Sequence, residues 1–269
     1  MTLIVGVRCS DGVVLGADGA ATYGNVYEHT IQQSTKKLRT ISGSLVVGVS
    51  GSVGLSQFIL AAVEKVWHQV KADSRNTPEQ LRVALSSEIR KYLLPELSVA
   101  AEAAKLLGSA AHSSAMCSAL VAMPKYAQSQ DGYLFEFDHQ GSSEEKINDG
   151  SFVAIGSGQG TADPFLAFLR KVFWKDTQPS IVDGIFATVW TLCHTIETSP
   201  GGVSFPIQII TLRNEVNRGF VATELSQEQV EEHRESTGDA ERMLLEWRRQ
   251  QRDKTPPPGE GPPEYTPKS

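Results

Sequence analysis

The chain has 269 residues, 40% of them hydrophobic, and its 25 Lys plus Arg against 31 Asp plus Glu leave a formal net charge of −6. That length and apolar fraction can fill the core of one domain and leave a tail. The acidic balance, with no basic run interleaved with aromatics, argues against a nucleic-acid partner. Cys9, Cys117 and Cys193 are odd in number and widely spaced with no CxxC. This argues against a disulfide framework or a zinc site and fits buried small side chains in a reducing compartment. The N-terminus lacks a basic region, an apolar stretch and a small-residue cleavage site, and no apolar run approaches about 18 residues. A cytoplasmic protein with no membrane span is expected.

In chain order, apolar runs at 3–8 and 13–18 flank Ser10-Asp11-Gly12 and predict a β-hairpin. Strands at 37–41 and 45–50 follow, separated by a Ser-Gly-Ser turn. Helical spacing of Phe58, Leu60, Ala61, Val63, Val66 and Trp67 predicts a helix over 55–70. Thr77-Pro78-Glu79-Gln80 supplies an N-cap, a first-turn proline and a capping-box Gln for a second helix running to about residue 94. Strand character returns at 118–123, 133–137 and 152–155, helices at 164–174 and 181–198, and final strands at 207–212 and 220–223. Such segregated runs predict an α+β fold with two sheets packed face to face and helices outside.

Beyond Leu225 the composition changes. Residues 226–251 are highly charged, begin with the helix-start pattern Ser226-Gln-Glu-Gln229 and carry Met243, Leu244, Leu245 and Trp247 late in the run. The Pro-rich stretch 255–263 is expected to be extended or disordered. The chain is therefore divided into a core domain, 1–225, and an extension, 226–269. Two readings of the extension stand: a solvated helix with a floppy end, or a docking and assembly element whose apolar residues need something to pack on.

Thr2 follows Met1 directly and opens the first strand-like run. Removal of Met1 would place a hydroxyl nucleophile and an amine base on one residue. Such a threonine needs an acid and a lysine near its hydroxyl, and Asp18 and Lys37 are the candidates. Taken singly, Asp18 also reads as turn chemistry and Lys37 as a solvated strand start. Gly156-Ser157-Gly158-Gln159-Gly160 fits neither GxGxxG nor a P-loop, and Ile155 stands where GxSxG needs Gly. It reads as a tight strand-to-helix turn or as a catalytic position.

Together, Gly16-Ala-Asp18-Gly-Ala-Ala-Thr22-Tyr-Gly24-Asn25, Lys36-Lys37-Leu38, Val49-Ser50-Gly51-Ser52 and Ala154-Ile-Gly-Ser157-Gly158 resemble the proteasome β-subunits and the HslV peptidases. The resemblance runs from Thr2 to about Thr223. In its extra segments and C-terminal extension the chain looks most like the proteasome homologue of β-proteobacteria. The resemblance implies a four-layer αββα sandwich of the N-terminal nucleophile hydrolase type. It implies Thr2 as nucleophile with its α-amine as base, Lys37 lowering the hydroxyl pKa, Asp18 fixing Lys37, the Gly51 N–H as oxyanion donor and Ser157 holding the amine. It also implies a threonine endopeptidase in homo-oligomeric rings, acting on peptides or unfolded proteins, with no cofactor required. An ATP-driven unfoldase as partner is left open.

Two departures stand out. The family pattern Asp-x-x-Ser-Gly-Gly is here Glu197-Thr-Ser199-Pro200-Gly201-Gly202, so Glu197 and Ser199 become the candidate amine anchors and Pro200 takes the serine position. This loop could also hold a structural cation. Extra sequence around 25–34 falls where the resemblance puts part of the specificity pocket, so the family's specificity is not carried over; Ala21 and Val49 are the candidate walls and Thr35 and Arg39 further candidates. The alternatives to a peptidase are a ring-forming scaffold without turnover and a small-molecule N-terminal amidohydrolase.

Overall fold

The computed structural model describes residues 2–24, 29–70, 77–108, 115–125, 130–147, 151–199 and 202–254; the side chains of residues 20–34, 107, 253 and 254 lie outside that description. β1 (Leu3–Cys9) and β2 (Gly12–Ala17) form the expected hairpin, pairing from Ile4↔Ala17 to Cys9↔Gly12. Then come β3 (Ala20–Gly24), β4 (His29–Ser34), β5 (Leu38–Ile41), β6 (Leu45–Gly51), α1 (Val53–Val70) and α2 (Pro78–Leu107). The second half contains β7 (Cys117–Met123), β8 (Tyr133–Phe137), β9 (Ser143–Glu145), β10 (Phe152–Gly156), α3 (Gln159–Phe173), α4 (Ile181–Thr198), β11 (Gln208–Glu215), β12 (Gly219–Glu224) and α5 (Gln227–Lys254).

Two five-stranded antiparallel sheets result, with strand orders β10-β1-β2-β11-β12 and β5-β6-β7-β8-β9. Side-chain alternation along β1 decides the layering. Ile4 enters the core between the sheets with Leu15, Val46, Leu120, Leu134 and Ile210. Leu3, Val5, Val7 and Cys9 point the other way, into a core shared with α3 and α4. Both faces of the strand are buried, so it reads as a continuous apolar run. The second sheet packs its outer face, including Val47 and Phe135, on Ile59, Val63 and Trp67 of α1 and Leu85 and Ile89 of α2. The architecture is the expected αββα sandwich.

Several boundaries differ from expectation. α2 continues through Pro95 to Leu107, because the following residues are mostly Ala, Leu, Glu and Lys, which favour helix strongly enough to offset one missing N–H donor. Its start is as predicted: the Thr77 hydroxyl accepts from Gln80 N–H at 3.3 Å and the Gln80 side chain accepts from Thr77 N–H at 2.8 Å. α3 begins at Gln159 rather than 164, since the Gly158 carbonyl already accepts from Thr161 and Ala162 N–H. The short polar β9 and the separate β3–β4 ribbon have no apolar period to announce them.

The extension is not apart from the core. Val230 is buried with Leu192 and Cys193, Thr237 is buried, the Trp190 indole N–H donates to Glu241 at 2.7 Å, and Arg234 lies over the Phe205 ring. Val230, Arg234, Thr237 and Glu241 recur at helical spacing, so one face of α5 docks on the body. Residues 255–269, including the Pro-rich stretch, lie outside the described residues. Among the described residues no helix is long and apolar enough to cross a membrane.

Candidate active site

The hairpin register sets Asp18 beside the start of β1. Asp18 N–H donates to the Leu3 carbonyl at 3.1 Å, and its carboxylate Oδ1 accepts Leu3 N–H at 2.8 Å. The same oxygen accepts Lys37 Nζ at 2.6 Å. Oδ2 accepts Ser204 N–H at 3.4 Å, and Gly19 N–H returns a bond to the Ser204 carbonyl at 2.8 Å. Asp18 is wholly buried and only 7% of the Lys37 side chain is exposed. Burial pulls the lysine pKa below its ordinary value, and the Asp18 charge opposes that shift without cancelling it. The backbone around Lys37 is held as well. Gln208, opposite Ala17 on β11, accepts Leu38 N–H at 3.0 Å and donates to the Leu38 carbonyl at 3.3 Å, while Lys36 pairs with Glu224 at 2.8 Å.

Ser157 and the glycines beside it hold the other side of Thr2. Pairing of Leu3 with Gly156 carries Ser157 to the N-terminus, where its hydroxyl accepts Thr2 N–H at 3.0 Å and donates to the Thr2 carbonyl at 3.3 Å. Gly158 N–H donates to the same carbonyl at 3.3 Å. With Met1 attached the Thr2 nitrogen is an amide; once freed it is an amine at the same place. Gly156 has φ +98°, and a Cβ there would lie 2.2 Å from the Thr2 oxygen and 2.8 Å from Ser50 Oγ. Thr2 and the end of β6 therefore flank one obligatory glycine. Gly51 follows at φ +132°, where a Cβ would press to 2.5 Å from the Met116 carbonyl.

Glu197 is not brought to Thr2, which corrects the expectation that it anchors the amine. Thr195 faces the site, because a Cβ on Gly158 would lie 3.3 Å from Thr195 Cγ2 and 3.0 Å from Leu3 Cβ. Two residues further on, about 200° round the helix, Glu197 is exposed and lines a cleft against α5 with Glu231, Arg234 and Glu235. Ser199 caps α4, and its hydroxyl meets that of Thr161 at 3.1 Å, bracing the first turn of α3 rather than touching Thr2. Pro200, Gly201 and the Ala21 side chain lie outside the described residues. Val49 is nearly buried in the core beneath α1 and α2.

This cluster stands on a chain segment that known proteins share. A family profile described as "Proteasome subunit" matches residues 2–178, more than half of the chain. The chain belongs to the proteasome subunit family. It is 29% identical over 167 residues to a proteasome subunit beta of Methanococcus maripaludis strain C5, a match covering 60% of this chain and 63% of that protein. It is 27% identical over 175 residues to the proteasome subunit beta of Methanococcus aeolicus, covering 65% and 68%. The chain thus matches less than two thirds of the length of the first of these relatives.

Among solved structures, Anbu (ancestral beta-subunit) from Yersinia bercovieri is similar in fold at a TM-score of 0.61 and 15% identity, covering 90% of this chain and 96% of that one. The Anbu (Gly-1) mutant from Hyphomicrobium sp. strain MC1 gives 0.64 at 15% identity, covering 91% and 97%. The sandwich is therefore the proteasome-type N-terminal nucleophile hydrolase fold. The similarities carry the family and the fold, and the β-proteobacterial branch stays an expectation of the sequence.

In this proteasome-family chain, Ser204 holds Asp18 and Gln208 holds the Leu38 backbone beside Lys37, though neither stood out in sequence, and Ser50, marked there only as a member of the Val49–Ser52 motif, borders Gly156. Ser204 acts through its backbone N–H, which any residue but proline offers, so residue type carries no signal. A buried Gln in a strand, as Gln208 is, is a weak signal. The three cysteines are buried; burial pushes the Cys117 thiol up to about 12 and raises those of Cys9 and Cys193. Such thiols are poor nucleophiles. Among the described residues no group of His, Cys, Asp and Glu is placed to hold a metal ion.

Proposed function

We propose that the protein is a threonine peptidase of proteasome β-type with Thr2, freed of Met1, as its nucleophile. The observation that carries this reading is one buried carboxylate oxygen, Asp18 Oδ1, accepting both Leu3 N–H and Lys37 Nζ while Ser157 holds the Thr2 nitrogen from the other side. Strand, lysine and amine are fixed relative to one another before substrate arrives. In the proposed reaction the Thr2 hydroxyl attacks a peptide carbonyl and its proton passes to the α-amine, whose reference pKa of about 7.7 to 8.0 leaves a neutral fraction near pH 7. The cationic Lys37 stabilises the developing alkoxide, and the Gly51 N–H is the proposed oxyanion donor. The amine then protonates the leaving nitrogen, leaving an ester on Thr2. Water, activated by the same amine, hydrolyses that ester and restores the hydroxyl.

Members of the proteasome family form oligomeric rings, and a cytoplasmic homo-oligomer acting on peptides or unfolded chains follows from this reading. An unfoldase as partner fits the same reading, and no cofactor enters the chemistry. The orientation of Glu197 towards α5 favours one rival, a ring-forming scaffold of the same fold, because it leaves the family's acidic amine anchor unfilled by that residue. Intact mass after incubation with a peptide epoxyketone tests the proposal. Loss of Met1 with one adduct per chain at Thr2, and peptide cleavage abolished by Thr2→Ala, is the expected result. Loss of Met1 with no adduct and no cleavage would leave the scaffold.

A further inference from the structure

From Glu241 to Gln250 every residue of α5 is exposed, and Met243, Leu244, Leu245 and Trp247 are 68, 52, 53 and 58% exposed. Leu244 and Leu245 bracket the continuation of the stripe of Val230, Thr237 and Glu241 that docks upstream on α4, so the docking face runs on past the body that it covers. A short helical stretch of this kind is marginal alone in water, and four large apolar side chains within five residues make a patch that calls for a partner.

Charge on the two sides of the patch says which partner. Upstream, Glu228, Glu231, Glu232, Glu235, Asp239 and Glu241 outnumber Arg234 and Arg242, which pair with Glu231 and Asp239; downstream, Arg248, Arg249, Arg252 and Lys254 outnumber Glu246 and Asp253. The acidic half also borders the cleft of about 500 Å³ between α4 and α5, where Glu197, Glu231, Glu235 and Glu241 line the wall with Arg234 and Arg242.

We infer that α5 pairs antiparallel with α5 of a second copy about a two-fold axis near Leu244, sealing the apolar patch against itself. This two-fold contact is self-complementary. In that direction Arg248, Arg249 and Arg252 of each copy come opposite Glu241, Asp239 and Glu235 of the other. A parallel pair would set acid against acid and base against base. The inference holds whether or not Thr2 is a working nucleophile.

Cysteine cross-linking of the full chain tests it, since the native thiols of Cys9, Cys117 and Cys193 are buried. Under diamide, which takes up the two hydrogens released as the disulfide forms, Leu244→Cys is expected to run mostly as a linked dimer on a non-reducing gel. Glu228→Cys, exposed but far from the axis, is expected to stay monomeric. Reversing Arg248, Arg249 and Arg252 to Glu in the Leu244→Cys background should weaken pairing about tenfold. Adding Glu235→Arg, Asp239→Arg and Glu241→Arg to that chain should restore it. A monomeric Leu244→Cys, as expected if a different protein covers the patch, overturns the inference. Equal linking of Glu228→Cys, as expected for a parallel pair, overturns it as well.

Discussion

At the start of β1, segments distant in sequence converge where strand register positions them: Asp18, just past β2, accepts Leu3 N–H, Ser157, just past β10, accepts Thr2 N–H, and Lys37, at the entry to β5, joins them through Asp18. At the end of α4, Glu197 turns towards α5 and Ser199 braces α3. Both places carry parts of one family pattern. The difference lies in how each element transmits position. A strand packed between two cores of different shape exchanges the side chains that fill them if it slips by one residue, so motif spacing survives as geometry. A helix end turns about 100° with each residue, so a segment that keeps two glycines but moves its serine by one place keeps the spelling and loses the direction.

Breaking the strand side should cost most. Lys37→Met removes the charge partner of a wholly buried carboxylate, and a loss of about 3–5 kcal/mol in urea-melt stability is expected, with peptide cleavage abolished. The wild-type pH profile sharpens the same point. Lys37 has its folded pKa below the 10.5 of the free side chain, so the folded state sheds that proton first. Its contribution to stability therefore rises with pH between the lowered value and 10.5, while cleavage that needs the cation falls as pH climbs through the lowered value. An alkaline limb with its midpoint below 10.5 is the expected outcome of a rate-against-pH series.

Gly156→Ala comes next. Its Cβ would lie 2.2 Å from the Thr2 oxygen at φ +98°, for which a destabilisation of about 1–3 kcal/mol is expected. A fall in cleavage at unchanged substrate KM would show that Thr2 itself has moved. The smallest effects belong to the helix end. Ser199→Ala should cost about 1 kcal/mol in thermal or urea melts, the worth of one hydrogen bond, with cleavage retained. Glu197→Gln should change stability by less than about 0.5 kcal/mol and leave cleavage within about twofold. A Glu197→Gln protein devoid of activity would return that residue to the amine and erase the contrast.

Much of the fold is legible in the chain. The hairpin is spelled by two apolar runs around Asp-Gly, and α4 is bounded at both ends where the periodicity starts and stops. The start of α2 is legible through its capping box, but its continuation past Pro95 is not, because proline is a local stop signal that the following helix formers outweigh. The β3–β4 ribbon and β9 escape for want of an apolar period. Within the site, Asp18, Lys37, Gly51 and Ser157 could be named because their side chains or their lack of one are part of the motif. Ser204 could not, since the atom it supplies is common to almost every residue.

By itself the sequence determined the layering and the nucleophile candidate. Segregated runs of strands and helices set the layers, and residue 2 is a threonine before any folding occurs. The docking of α5, the turning away of Glu197 and the hold of Ser204 on Asp18 and of Gln208 on the Leu38 backbone were decided only in three dimensions. Each depends on where a distant element comes to rest and on the phase of a helix against it, and these are set by packing between layers rather than by any local preference of the chain.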